Sequence, residues 1–358
     1  GSGIYFPIEG DNNTINIDST AGSLTFNTTG GGGAITANGQ TGITANGGIT
    51  ATGAVSLTAA TGTVAGGNAV SAGDLLSVQA NGAGGAVTLG NVTGSGVDVD
   101  STGNVALGTI AGGNNAVDLD STGGSVTFGA TNSGLLTADG QTGIAANGDI
   151  TATGAASLNA ATGNISGGNA VTTSGLLTVQ ANGAGGAVTL GNVEGAGVNV
   201  DSVGNIILGT ITGVGGAAVD LNSNGGGLTF GASTSTGTFT ARATGALAAG
   251  TNDITATGVL QLTAEGGNVT AGSLTGAGVT VNAADATVGS GRTVMCRKGV
   301  LASSVSKAYS TAVVVSGRST NAVCRRSCWY SRRTRRTCVP SREVLILNTA
   351  SMGSVAPP

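Results

Sequence analysis

A long internal repeat constrains this chain more than any other feature. Residues 38–49, NGQTGITANGGI, recur as DGQTGIAANGDI at 139–150, and VQANGAGGAVTLGNV stands unchanged at 78–92 and 179–193, both at an offset of 101. The flanking segments NNTINIDSTAGSLTF (12–26), NNAVDLDSTGGSVTF (114–128) and GAAVDLNSNGGGLTF (216–230) are spaced by 102. The copies run from about 12 to 113, 114 to 215 and 216 to 291, the third more loosely through NDITATG (252–258). Successive copies must be structurally equivalent, so the array extends by stacking, each layer burying its apolar face on the next.

Within each copy apolar and polar residues alternate at period two, as in Ile15-Asn-Ile17-Asp, Leu76-Ser-Val78-Gln, Val87-Thr-Leu89, Val97-Asp-Val99-Asp and Val117-Asp-Leu119-Asp. That is the pattern of strands with one face in and one out. Asn38-Gly39, Asn46-Gly47, Asn81-Gly82, Asp139-Gly140, Asn147-Gly148, Asn182-Gly183 and Asn224-Gly225 separate the runs, and such pairs are expected to supply the positive φ angles of tight turns. No helical periodicity is present. The pattern predicts an all-β chain: a parallel β-helix, or β-solenoid, over residues 1–291, with coils of about 20 residues made of two strands and two turns, five coils to a copy. Some 14 coils would make a rod of about 70 Å. Val117, Leu119 and their equivalents Val219 and Leu221 are expected to point inward.

Composition supports a thin core of small side chains. Of 358 residues 68 are Gly, while 39% are hydrophobic, 3% aromatic and 8% charged, which separates the chain from both an ordinary globular domain and a disordered one. Charge is segregated: residues 1–291 hold Arg242 against 16 acidic residues, a net −15, and residues 292–358 hold 12 basic residues against Glu343, a net +11, which together give the overall −4. All four cysteines (Cys296, Cys324, Cys328, Cys338) lie in the second segment. A cysteine-free body suits a compartment where thiols oxidise. No apolar run is long enough to cross a membrane as a helix. The chain opens Gly1-Ser2-Gly3 without an initiator Met or a signal-peptide pattern, so it reads as a fragment whose leader is missing or removed.

The segments ITATGAVSLTAATGTVAGG (49–67), ITATGAASLNAATGNISGG (150–168) and ITATGVLQLTAEGGNVTAG (254–272) resemble the repeats of filamentous haemagglutinin-type adhesins, the exoproteins of two-partner secretion, and of related autotransporter passengers. The resemblance covers almost all of residues 1–291. It implies a right-handed parallel β-helix, export through an outer-membrane transporter, a secreted or bacterial cell-surface location, and a role in attachment or biofilm formation, with a host or cell-surface glycan or protein as receptor. The amino-terminal secretion domain of that family is not recognisable here.

The chain has no His, and residues 1–291 have no Lys or Cys. That excludes from this body a Ser-His-Asp or Cys-His nucleophile, a His-based zinc site and a GK[ST] phosphate loop. No catalytic, cofactor-binding or metal-ligating residue is assigned. Parallel β-helices do include carbohydrate-active enzymes, and Asp98/Asp100 and Asp118/Asp120 are same-face carboxylate pairs, but Asp118 and Asp120 recur as Asp220 and Asn222, as a repeated solvent face would. No cofactor is expected. GGNNAVDLD (112–120) departs from the calcium-binding nonapeptide and is not repeated beside itself, which leaves at most weak calcium binding to carboxylate and amide oxygens. Thr50-Ala51-Thr52 recurs at 151–153 and 255–257, too seldom for a lattice-matching hydroxyl face, so these threonines read as strand formers. The acidic sign of the body disfavours nucleic acid. A surface stalk is the leading reading; a carbohydrate-active enzyme and a self-assembling matrix or surface-layer fibre are the alternatives.

Residues 292–358 share nothing with the repeats. One reading is a basic tail for nucleic acid or lipid, with Arg325, Arg326, Arg332, Arg333, Arg335 and Arg336 around Trp329 and Tyr330. A folded cap is another, while the cysteine spacing lacks paired zinc knuckles. The preferred reading is a shifted frame: Gly, Ala and Val codons read one base early become NGG, NGC and NGT, which encode Arg, Trp, Cys, Ser or Gly. In either the first or the preferred case this stretch is expected to be unstructured. Translation of the gene downstream of the Gly291 codon in the other two frames should restore ITATG- or NGAGG-like repeats. If neither frame does so, the shift is refuted and the basic tail becomes the leading account.

Overall fold

The computed structural model describes residues 13–288 with their side chains, together with the backbone of strands Ile8–Glu9 and Met295–Arg297, of two short strands beyond, and of the chain to Gly291. The described residues are all β, without a helix, and their parallel strands stack in about 13 turns as a β-solenoid. At an inter-strand repeat of about 4.8 Å the stack is roughly 60 Å long. The readings of residues 292–358 fall, apart from the short strand pieces, outside the described residues.

Each turn carries three strands rather than the expected two. The first turn comprises Ile15–Ser19, Ser23–Phe26 and Thr29–Gly31, and the second Ile35–Gly39, Gly42–Ala45 and Ile49–Ala51. Strands of equal rank form three parallel ladders, the first making a separate sheet and the other two sharing a 28-stranded one. The third strand escapes a period-two search because its inward places often hold Ala, Thr or Ser, as in Ile49–Ala51, Thr131–Ser133 and Ser233–Ser235, so the apolar–polar contrast is weak.

The repeat length follows from the register. Ile15, Ile35, Val55, Leu76, Val97 and Val117 form one column, in steps of 20, 20, 21, 21 and 20 residues, so five turns make the 102-residue period. From Val117 the column passes through Leu136, Ala156, Leu177 and Val198 to Val219 in steps of 19, 20, 21, 21 and 21. One residue is lost and later regained, which is why some segments repeat at 101. Both changes fall at the corner between third and first ladders, where ladder pairing does not set the length.

Inward positions carry Val, Ile, Leu and Ala, and Val117, Leu119, Val219 and Leu221 are fully buried as expected. At the last inward position of the first ladder every turn from Ser19 to Ala264 has Gly, Ala or Ser. Ser101, Ser121, Ser202 and Ser223 are buried, and the serines bond the corner itself: Ser121 Oγ donates to Gly103 O at 2.5 Å, Ser202 Oγ to Gly204 O at 2.6 Å and Ser223 Oγ to the same carbonyl at 2.7 Å. Bulk is balanced between neighbouring turns. The buried rings Phe26 and Phe128 stack on Ala45 and Ala146, and a hydroxyl, Thr29 or Thr131, takes the inward place where the next turn has Ile49 or Ile150. Such large–small alternation keeps a narrow interior at crystal-like density.

The glycines of the Asn-Gly and Asp-Gly pairs do not hold positive φ, contrary to the sequence-based expectation; none of Gly39, Gly47, Gly82, Gly140, Gly148, Gly183 and Gly225 does. They are needed for close approach. A Cβ on Gly82 would lie 2.1 Å from the backbone of Thr61 one turn below, and one on Gly183 would lie 2.1 Å from Thr162. The left-handed residue of NGAGG is the glycine two positions later, Gly84 (φ 71) and Gly185 (φ 74), where an added Cβ meets nothing within 4 Å. These two glycines therefore predict different penalties. Gly84→Ala should cost about 1–2 kcal/mol, the strain of a left-handed Ala, whereas Gly82→Ala should cost more because backbone must move against backbone. Thermal or denaturant unfolding of the two variants checks this; equal losses would mean that the stacking constraint is misassigned.

Candidate interaction surfaces

The two sheets present chemically different outer faces. On the first ladder the outward residues form columns in strict register. Asp98 stands beside Asp118 and Asp100 beside Asp120, with Asp139 next to Asp120. The two same-face pairs seen in the sequence thus become one patch across three turns. Amide side chains close its ends: Gln79 Nε2 donates to Asp100 Oδ2 at 3.4 Å and Asn159 Nδ2 to Asp139 Oδ1 at 2.9 Å. In the next copy the equivalent places hold Asn199 and Asp201, then Asp220 and Asn222, then Arg242. Arg242 donates through Nε to Glu265 at 2.9 Å. That pair is exposed and contributes little to stability.

Burial is the first cause that raises the carboxyl pKa of Asp98, Asp118, Asp120 and Asp220 above 3.8, and neighbouring aspartates add to it: Asp100 and Asp118 for Asp98, Asp139, Asp100 and Asp120 for Asp118, Asp139 and Asp100 for Asp120, and Asp201 for Asp220. Packing against the neighbouring strands and the alignment of like charges at inter-strand distance both act in this direction. Among the described residues no group of three or more His, Cys, Asp or Glu is arranged to hold a metal ion, so the weak calcium site considered from sequence gains no ligand set.

The second and third ladders present hydroxyl and methyl groups. The single outward column of the third ladder has Thr or Ser in nine of thirteen turns: Thr50, Ser71, Thr93, Thr151, Thr172, Thr212, Thr234, Thr255 and Thr275. Thr50, Thr151 and Thr255, which look like rare T-x-T elements in the sequence, are thus members of a nearly continuous file. Sequence reasoning missed Thr93, Thr172, Thr212, Thr234 and Thr275 because each lies in a different local motif. The shared signal is a single Thr flanked by inward residues in a three-residue stretch, weak until the turns are aligned. The second ladder adds a parallel column of Thr, Ser and Ala interrupted only by Ile207. Among the described side chains of both columns the one charged residue is Glu194, and exposed Asp149 and Asp253 stand at the corner between the two ladders. At the corner where the third ladder meets the first stand the half-exposed Leu75, Leu135, Leu176 and Val259. Leu75 and Leu176 lie over Gly96 and Gly197 of the adjacent turns, at 3.4 and 3.1 Å from where a Cβ would be.

The aspartate ladder predicts an inverted acid response. A carboxyl whose folded pKa is raised contributes stability that is present below the unfolded value, near 3.8 for these residues, and is lost as pH rises through the folded value. The thermal midpoint should therefore rise modestly as pH is lowered from 7 toward about 4. Asp118→Asn should raise the midpoint at neutral pH and flatten the dependence. Circular dichroism melts across that range check it, and a midpoint that falls throughout would contradict the assignment. In the comparisons with known proteins, no family model, no curated protein and no solved structure matches this chain.

Proposed function

We propose that residues 1–291 are a non-enzymatic structural or adhesive stalk of a secreted bacterial surface protein, as the haemagglutinin-type repeats suggest. The observation that carries the reading is the uninterrupted register of about 13 parallel turns, an arrangement whose product is length and stiffness. Every turn is hydrogen-bonded to the next along all three strands, and corner amides join in, as when Thr61 N donates to Gln40 O at 2.9 Å and Ala161 N to Gly140 O at 3.0 Å. Such a rod bends only by breaking many bonds together. An acidic outer ladder keeps rods soluble and disfavours contact through that ladder. In this reading the partners are a surface glycan or protein receptor and an outer-membrane transporter for export.

The alternative of a carbohydrate-active enzyme has less support. Its candidate carboxylates stand in an open ladder beside like charges, and the equivalent positions of the next copy hold Asn199 and Asn222, which would abolish a carboxylate pair.

Small-angle scattering of the chain at dilution tests the stalk. A rod profile with a repeat-body length of about 60 Å is expected, and a compact profile would overturn the reading. Turnover of any member of a polysaccharide panel by the purified chain would move the assignment to the enzyme.

A further inference from the structure

We propose that the sparsely charged hydroxyl face, formed by the second and third ladders, is a lateral interface between two copies of this chain. This deepens the stalk reading: the rod would work as a side-by-side pair.

The first argument is charge. Aspartates crowd the outer face of the first ladder, where Asp98, Asp100, Asp118, Asp120 and Asp139 share one patch, so two rods meeting there would repel. The described side chains of the other two outward columns carry the single charge of Glu194, with Asp149 and Asp253 isolated from each other at the corner between them. Of the ladder faces, this one opposes the fewest carboxylates when brought against its own copy, and a sliding register of whole turns sets those few apart.

Repeat matching is the second argument. A flat binding partner must present groups at the axial spacing of this face, about 4.8 Å. A second copy has that spacing by construction, in any sliding register of whole turns, and columns of small side chains on both partners allow sheets to approach closely, as paired β-sheets do in dry zippers.

Unused bonding capacity is the third. Thr61, Thr162 and Thr257, at corners, donate their hydroxyls to backbone carbonyls of the preceding turn. The outward threonines of the two columns, Thr93, Thr151, Thr172 and Thr234 among them, make no intramolecular hydroxyl hydrogen bond. They can bond across an interface while their methyl groups pack.

Size is the fourth. Two strands with their corner, about 20 Å wide, over roughly 60 Å of stack give on the order of 1,000 Å² per partner. A standard stable interface needs about 800 Å² per partner.

The test uses the full chain and measures mass per unit length, by scattering cross-section or scanning electron microscopy, at increasing concentration. Pairing predicts a two-fold rise over the monomer that persists in about 1 M salt. Thr151→Glu, Thr172→Glu and Thr234→Glu combined, and the same three sites changed to Lys, should each return it to the monomer value with unaltered circular dichroism. A chain that stays monomeric overturns the proposal, while its rod profile would leave the stalk reading intact. A doubled mass lost at high salt also overturns it, because the basic segment on the aspartate ladder would then be the contact. Growth in length at constant cross-section overturns it in favour of end-to-end assembly. Thermal hysteresis of freezing by monomers overturns it too, because the face would then order water.

Discussion

The hydrogen-bond ladder between turns is the constraint on which the rest of the structure depends. It places each residue directly against its counterpart about 20 residues away, at a separation of about 4.8 Å that no side chain can enlarge. Every position is thereby a column, and a residue is acceptable only if its neighbours above and below accept it. Inward columns must alternate bulk, which is how Phe26 comes to lie against Ala45 and Phe128 against Ala146. Tight corners must stay small, which is why Ser101 and Ser121 share a column with Ala80 and Gly140.

The same constraint explains the glycine content. A left-handed backbone is required at few positions, Gly84 and Gly185 among them, but a turn that passes within van der Waals contact of the next has no room for a Cβ at its corners. Asparagine at these corners serves the backbone as well. Asn91 Oδ1 accepts from Thr109 N at 3.0 Å, and its copy Asn192 from Thr210 N at 2.9 Å. Amides that the ladder does not pair are satisfied this way, which limits the cost of a chain with little apolar surface to bury.

Columns also convert composition into faces. A few aspartates per copy become a patch because register puts Asp98, Asp118 and their neighbours side by side, and the resulting repulsion is a cost the core must offset. Threonines scattered through dissimilar motifs become a file for the same reason. A two-faced rod, acidic on one ladder and hydroxylated on the others, suits a stalk that must stay soluble and still meet partners in a defined orientation.

The sequence by itself determined the class of fold, the five-turn period and the inward residues of the alternating runs, because period-two alternation and a 102-residue repeat are local or directly countable properties. Val117, Leu119, Val219 and Leu221 were legible in this way, and so was the lack of His, Lys and Cys for a Ser-His-Asp or Cys-His nucleophile or a His-based zinc site in the body. Only the tertiary structure decided that each turn has three strands, since a strand such as Thr131–Ser133 or Ser233–Ser235 buries hydroxyls and has no apolar alternation to detect. It also decided that glycine at Asn81-Gly82 serves close approach, because the atom it avoids belongs to Thr61, one turn away. The composition of each face was likewise a tertiary matter: which residues share a column depends on steps of 19 to 21 residues that vary along the chain, and those steps are set by stacking rather than by any local motif.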